Sequence, residues 1–200
     1  MFIQVIQAKV KDEAGLRAAL DRWQEALQPD ATGWLGTTAG ITEDGRFIAL
    51  ARFESADAAR ANSDRPEQGE WFADVAEKFD GEPEFLDSER VEVFLDGGSD
   101  DAGFVQIMRG QSDDVRRMHD VMSAHDDSLR EGRPDIIGGL MIEGEGGRDV
   151  DAIYFRSEDA ARQGEGTEPP EEIRAELDEG WKLMGDITYF DLKDPILRSP

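Results

Sequence analysis

The residues from Asn62 to Phe72 combine hydrogen-bond donors with large aromatic side chains in the stretch NSDRPEQGEWF. Asn62 and Arg65 can donate hydrogen bonds to an oxygen atom, and Trp71 and Phe72 can form apolar walls. This mixture suits a binding site for an anionic or aromatic small molecule. The stretch is therefore the first candidate for a ligand site.

The same stretch also has a purely structural interpretation. Arg65 can pair with Asp64 or Glu67, Trp71 can pack in the core, and Asn62 can end a short helix in the left-handed conformation. Neither interpretation excludes the other at the level of the sequence.

Three further residues are candidates for ligand contacts. Trp34 begins an apolar stretch, and Arg52 lies near the end of the next one. An Arg beside a cavity can hold a carboxylate or enolate, whereas an Arg at the surface would pair with one of the many acids. His125 falls on the apolar stripe of a predicted helix, where it is either a core residue or a base facing a cavity.

The sequence contains no recognisable motif for a metal site or a catalytic nucleophile. The chain contains no Cys, and His119 lies six positions before His125, about 240° around a helix, so the two imidazoles cannot share one metal. No Ser lies in a G-x-S-x-G frame. We therefore expect no metal and leave the catalytic residues unassigned.

The charge balance restricts the partners. The 200 residues include 46 acidic and 22 basic side chains, for a formal net charge of -24. Such a surface repels phosphate backbones and anionic lipids, so we expect neither nucleic acid nor a membrane as a partner. The N-terminal residues lack a basic segment followed by an apolar run, which favours a cytoplasmic location.

The sequence repeats itself at an offset of 102 residues. FIQVI at 2–6 returns as FVQIM at 104–108, and RFESADAAR at 52–60 returns as YFRSEDAAR at 154–162. Each copy shows strand and helix periodicities in the order βαββαβ. The stretch equivalent to 62–72 reads GEGTEPPEEIR, so its donors and aromatic residues belong to the first copy alone.

This order resembles a ferredoxin-like unit, and its duplication resembles the dimeric α+β barrel superfamily fused into one chain. In the strand RFIALARF, apolar residues point to both faces, so we expect the two units to pack sheet to sheet. The predicted divisions are a first domain at 1–96, a linker at 97–102, a second domain at 103–193 and a tail at 194–200.

The superfamily that this chain resembles includes antibiotic-biosynthesis monooxygenases, in which a cavity lies between the sheet and the helices of each unit. The resemblance implies a monomeric pseudo-dimer that binds a small molecule and oxidises or isomerises an aromatic or enolisable compound without a cofactor. Haem-degrading relatives use an Asn on the first strand, where this chain has Gln4 and Gln106, so haem is not expected. The alternative is a non-catalytic ligand- or partner-binding protein whose duplication is structural.

Overall fold

The first copy of the repeat folds into the elements that its periodicity predicts. The computed structural model describes residues 1–112, 114–168, 171–183 and 185–200. The elements of the first copy are β1 (Phe2–Lys9), α1 (Glu13–Ala26), β2 (Trp34–Ile41), β3 (Arg46–Phe53), α2 (Ala56–Ser63), α3 (Pro66–Ala76) and β4 (Glu84–Ser88).

Local signals fix where these helices begin. The Asp12 side chain accepts a hydrogen bond of 2.9 Å from the Gly15 amide at the start of α1. Ser55 does the same for the Ala58 amide at the start of α2, at 3.1 Å. Pro66 is the first residue of α3, where its missing N–H group removes no helical hydrogen bond.

The second copy repeats the order of elements. They are β5 (Val91–Phe94), β6 (Phe104–Gln111), α4 (Val115–Ala124), α5 (Asp126–Gly132), β7 (Ile136–Glu143), β8 (Arg148–Phe155), α6 (Glu158–Glu165), α7 (Glu171–Leu183), β9 (Thr188–Leu192) and β10 (Ile196–Arg198). The first helix of this copy is divided at His125, whose backbone is not helical. The predicted tandem of ferredoxin-like α+β units is confirmed.

Each sheet is antiparallel and has five strands. The strand orders are β10-β2-β3-β1-β4 and β5-β7-β8-β6-β9, which match position by position under the repeat. The fifth strand is added beside β2 in one sheet and beside β7 in the other. We expected four strands from each copy.

The fifth strands divide the chain differently from the predicted domains. Val91–Phe94, which we assigned to the end of the first domain, pairs with β7, and Ile196–Arg198, which we assigned to a tail, pairs with β2. The first unit therefore comprises residues 1–89 and 196–200, and the second comprises 90–195. Any exposed strand edge offers backbone donors and acceptors, so a strand can pair with a sheet edge whose residues are distant in sequence.

A glycine makes room for β5 in the second sheet. Phe94 pairs with Gly139 of β7, and a Cβ atom added at Gly139 would collide with the Phe94 ring. Phe94 is almost fully buried. Close contact between an aromatic ring and bare backbone thus holds this strand in place.

Gly139→Ala is expected to lower the free energy of unfolding by about 1–3 kcal/mol, the usual cost of overpacking. Urea denaturation measures it. Gly69→Ala is the matched control, because a Cβ at Gly69 of α3 meets open space and should be neutral or stabilising. Equal loss in both variants would contradict the proposed contact.

Strand alternation sends apolar side chains to both faces of the first sheet. On β3, Phe47, Ala49 and Phe53 belong to core clusters that contain helix residues such as Leu16 and Val75. Ile48 and Leu50 point the other way and are also fully buried. The helix-facing side of this sheet is the one that forms the candidate site.

Candidate functional site

A cavity of about 350 Å³ lies in the first unit between its sheet and its three helices. Its lining residues are mostly apolar or aromatic. They are Gln4, Ile6, Leu20, Trp23, Gln24, Trp34, Thr37, Ala39, Phe47, Ala49, Ala51, Phe53, Ala59, Asn62, Ser63, Gln68, Gly69, Trp71, Phe72, Val75, Phe79, Phe85, Ile196 and Arg198. Its size falls within the ~300–1,000 Å³ typical of small-molecule sites.

Small residues on the central strands leave this space open. Ala39 on β2 and Ala49 and Ala51 on β3 all face the cavity, where longer side chains would fill it. The backbone of the sheet thus forms a flat floor. Phe85 on β4 is 44% exposed, which places one end of the cavity at the protein surface.

A β-bulge turns Trp34 into the cavity. The pairing of β2 with β3 shifts between Trp34 and Gly36, and Gly36 adopts a φ of 137°. The extra residue reverses the alternation, so Trp34 shares a face with Thr37 and Ala39 although strict alternation would separate them. The second copy has the same shift between Ile136 and Gly138.

Three indole rings form one wall of the cavity. The Trp23 centroid lies 5.1 Å from that of Trp34, edge to face, and 6.3 Å from that of Trp71. Phe72 continues the wall, with its centroid 6.2 Å from Trp71 and 5.8 Å from Phe85. Such a surface suits a planar aromatic ligand.

The indole N–H groups are used within the protein. Trp23 donates to Gln68 Oε1 at 2.7 Å, and Trp34 donates to Thr37 Oγ1 at 3.0 Å. Trp71 donates to the Ala19 carbonyl oxygen at 2.7 Å. The rings are therefore fixed in orientation, and they offer their faces and edges rather than their donors to a ligand.

Asn62 supplies a polar group at the cavity wall. It is only 6% exposed, and its Oδ1 atom accepts a hydrogen bond of 3.0 Å from Arg65 Nη1. Arg65 also donates to the Leu27 carbonyl oxygen at 3.1 Å, so α1, α2 and α3 are tied together at this point. Among the described residues, no acceptor is bound to Asn62 Nδ2, which leaves that N–H group available to a ligand.

Two glutamines add further amide groups. Gln4 Nε2 donates to Asp87 Oδ1 at 3.0 Å. The Oε1 atom of Gln68 accepts from Trp23, which leaves its Nε2 group without a recorded acceptor among the described residues. Both side chains line the cavity, and the Nε2 group of Gln68 is the one that can donate to a bound oxygen atom.

The described lining contains no carboxylate, imidazole or ammonium group, and Arg198 supplies its charge. The Arg198 guanidinium donates to the Leu197 carbonyl oxygen at 3.0 Å and lies 3.4 Å from Asp21. The described lining therefore offers no side chain that is an evident general base.

The structure brings together four of the seven residues that the sequence suggested for ligand binding. Asn62, Trp71, Phe72 and Trp34 line the cavity, and Arg65 stands behind Asn62 without lining it. Asn62 lies inside α2 and does not end it in the left-handed conformation.

Arg52 and His125 lie elsewhere. Arg52 sits between Ala51 and Phe53 on β3, so it points to the opposite face of the sheet and packs over Gly36. Its Nε atom is buried without a hydrogen-bond partner among the described residues. His125 precedes α5 in the second unit and is half-buried, outside the cavity of that unit.

The second unit has a cavity of about 540 Å³ at the equivalent position. Gln106 Nε2 donates to Asp191 Oδ1 at 3.0 Å, as Gln4 does to Asp87. The lining is otherwise more polar, because Arg162 enters it and pairs with Asp191 and Glu165. Ile153 stands where the first unit has Ala51.

A separate group of charged side chains lies in the core of the second unit. Asp149 and Asp151 on β8 face His119 on α4. His119 Nε2 lies 3.0 Å from Asp149 Oδ1 and 3.4 Å from Asp151 Oδ1. All three residues are buried.

Burial and charge act against one another in this group. Burial by itself would lower the pKa of the His119 imidazole, but the neighbouring Asp149 and Asp151 outweigh it and raise that pKa to about 10. Burial raises the pKa of the Asp151 carboxyl to about 6, with His119 opposing the shift and Asp149 adding to it. Among the described residues, His119 is the ion-pair partner of both Asp149 and Asp151.

The sequence carried a signal for this group that we did not use. Under the offset of 102 residues, Asp149 and Asp151 replace Phe47 and Ala49, two core positions of the first unit. The first unit folds with apolar residues at these positions, so the acids of the second unit are not required by the fold. Such acids are candidates for a functional site. Trp23 and Gln68 of the first cavity were also missed, because a helix stripe alone does not distinguish core from cavity.

Comparison with known proteins adds evidence about the fold. No family model matches the sequence, and no curated protein matches it. Among the described residues, no helix is long and apolar enough to cross a membrane.

Three solved structures match almost the whole chain. A candidate monooxygenase from Fusobacterium nucleatum subsp. nucleatum has a TM-score of 0.79 at 9% identity, and the match covers 99% of this chain and 94% of that one. One from Lactobacillus acidophilus NCFM has a TM-score of 0.71 at 9% identity, covering 99% of both. An anthrone oxidase-like protein has a TM-score of 0.64 at 12% identity, covering 99% and 93%.

Identities of 9% to 12% establish a shared fold and not a shared reaction. The resemblance drawn from the duplicated βαββαβ pattern is thereby confirmed in three dimensions. This chain has the tandem ferredoxin-like α+β fold found in proteins described as monooxygenases.

Proposed function

We propose that the first unit binds a planar aromatic or enolisable small molecule and promotes its oxidation by O₂ without a cofactor. The observation that carries this proposal is the aromatic cavity with a buried, available amide group on Asn62. The fold shared with candidate monooxygenases also supports an oxidation reaction but does not establish it.

The lining favours aromatic ligands. Faces and edges of Trp23, Trp34 and Trp71 offer stacking contacts, each aromatic pair contributing about 0.5–1.5 kcal/mol beyond buried area. The protein's net charge of -24 raises the cost of bringing a free anion to its surface. A neutral phenol or ketone that ionises on binding avoids this cost.

The amide groups can stabilise charge that develops during oxidation. When an enolisable ligand loses a proton, its oxygen becomes negative, and N–H donors from Asn62 and Gln68 stabilise that oxygen. The electron-rich carbon then reduces O₂: one oxygen atom enters the ligand, the other leaves as water, and the ligand supplies all four electrons. No external reductant is needed.

Proton removal depends on the ligand itself, because the described lining offers no general base. The oxidation rate should therefore rise with pH through the pKa of the bound ligand. The absence of an imidazole or thiolate in the described lining also leaves haem iron without an axial ligand there. The proposal accordingly includes no haem.

Titration with 1,8-dihydroxyanthrone tests binding and reaction separately. The probe is chosen because one structural neighbour is described as anthrone oxidase-like. Three of the four Trp residues line the cavity, so binding should quench intrinsic fluorescence. Catalysis should add O₂ uptake and quinone absorbance above the protein-free rate.

The two readouts distinguish the alternatives. Quenching without added O₂ uptake would support the non-catalytic ligand-binding function. Unquenched fluorescence with this probe and with related tricyclic phenols would remove the aromatic-ligand proposal altogether.

Asn62→Leu should lower the oxidation rate constant by about 100-fold, because it removes a donor from the developing oxygen anion. Binding should weaken less than tenfold, since Leu keeps the branched shape of the Asn side chain. Steady-state kinetics separate kcat from KM. Arg65→Ala is the matched comparison and should give a smaller loss, because it leaves Asn62 present but unsupported. A parallel loss of affinity and rate in Asn62→Leu would contradict the assigned role.

A further inference from the structure

The buried charges of the second unit have no structural counterpart in the first. At the positions equivalent to His119, Asp149 and Asp151, the first unit has the half-buried Arg17 of α1 and the core residues Phe47 and Ala49. The same fold forms with an apolar core there. The charged residues are thus not needed to build the unit.

The charged group is also incompletely satisfied. Asp149 Oδ2 and Asp151 Oδ1 are buried without a hydrogen-bond partner among the described residues. Asp149 is only 1% exposed. Burying a carboxylate is strongly unfavourable unless a partner compensates its charge. One imidazole, even when protonated, balances only one of the two negative charges.

The spacing of the donor atoms allows all three residues to bind one metal ion. One donor atom from each of the three residues lies within 4.8 Å of the others. The His119 Nε2 distances to the two carboxylates are 3.0 and 3.4 Å. With metal–ligand bonds of ~2.1 Å, neighbouring ligands stand about 3.0 Å apart in an octahedron and about 3.4 Å apart in a tetrahedron.

We propose that His119, Asp149 and Asp151 form a binding site for a divalent transition-metal cation such as Zn²⁺ or Mn²⁺. The cation neutralises the negative charge of both carboxylates, which one imidazole cannot do alone. The site is independent of the cavity in the first unit.

The donor set decides the class of metal. An imidazole nitrogen favours Zn²⁺, Mn²⁺, Fe²⁺ or Co²⁺ over Mg²⁺ and Ca²⁺, which prefer oxygen ligands alone. The chain has no Cys, so no soft thiolate competes for the metal. Three protein ligands leave at least one coordination position for water.

Metal content and thermal stability test the site in the full chain. Protein stripped with EDTA, reloaded with Zn²⁺ and dialysed should retain about one Zn²⁺ per chain by elemental analysis. At about 100 times the dissociation constant, the melting temperature should rise by about 5–10 °C. Renewed EDTA should reverse the rise.

Variants separate the buried site from the acidic surface. Asp149→Asn and Asp151→Asn keep the side-chain shape and should reduce retained Zn²⁺ at least fivefold. Glu70→Gln changes an exposed carboxylate on α3 and should leave the Zn²⁺ content unchanged. Equal retention by wild type and both Asp variants would overturn the proposal, because surface carboxylates would then hold the metal.

A measurement on the histidines does not depend on those variants folding. The chain contains two His, so Zn²⁺ should shift the NMR signals of one imidazole ring and not the other. In His125→Gln, the remaining ring belongs to His119 and should show the shift. A spectrum unchanged by Zn²⁺ would overturn the proposal.

Discussion

His119→Ala is expected to lower the free energy of unfolding by about 3–5 kcal/mol in metal-free buffer. The substitution removes the group that faces both Asp149 and Asp151. Two buried carboxylates would then face each other without a counter-charge. Urea denaturation followed by circular dichroism measures the loss.

Replacing the whole group should reverse the effect. The triple variant His119→Leu, Asp149→Phe, Asp151→Ala places apolar residues in the core, two of them taken from equivalent positions of the first unit. Removing all buried charges together is often neutral or stabilising. The triple variant should thus be more stable than His119→Ala. A triple variant less stable than the single one would show that the charges stabilise the fold.

Ala51→Ile is expected to weaken binding of 1,8-dihydroxyanthrone by about 100-fold or more, equivalent to about 2.7 kcal/mol. Ala51 lies on the cavity floor, and its equivalent in the second unit is Ile153. The larger residue is therefore compatible with this strand position. Its side chain would occupy space that the ligand needs.

Fluorescence titration measures this loss, and thermal unfolding checks that the variant is folded. Ile153→Ala is the reciprocal control: it enlarges the second cavity and should leave quenching by the probe unchanged. Unaltered affinity in Ala51→Ile would place the ligand outside the first cavity and remove the basis of the proposed oxidation.

The two predictions concern different units and different chemistry. The first unit offers an aromatic cavity with amide donors, and the second offers a charged core with metal-like spacing. Duplication explains how both can exist in one chain. Once two copies share a fold, each can change core positions that the other keeps.

Local sequence patterns were sufficient to predict most of the helices and strands. The predicted order βαββαβ occurs in both copies, and Ser55 caps α2. Alternation, helical spacing and capping residues act within a few positions, so the sequence shows them directly.

The candidate cavity was predicted in part. Comparing the two copies singled out Asn62, Trp71 and Phe72, because a stretch that only began a helix would look alike in both. Arg52 failed as a lining residue because a strand alternates between faces, and its neighbours Ala51 and Phe53 face the helices. The sequence did not reveal which face enclosed the empty space.

The sequence by itself determined the duplicated βαββαβ order and the residue types available for a site in the first copy. Only the tertiary structure decided that β5 and β10 join the sheets they do, since the backbone groups of a strand edge can pair with a segment that is distant in sequence. Only the tertiary structure brought His119 to Asp149 and Asp151. Contacts between residues 30 positions apart depend on how a helix packs on a sheet, which no local pattern encodes.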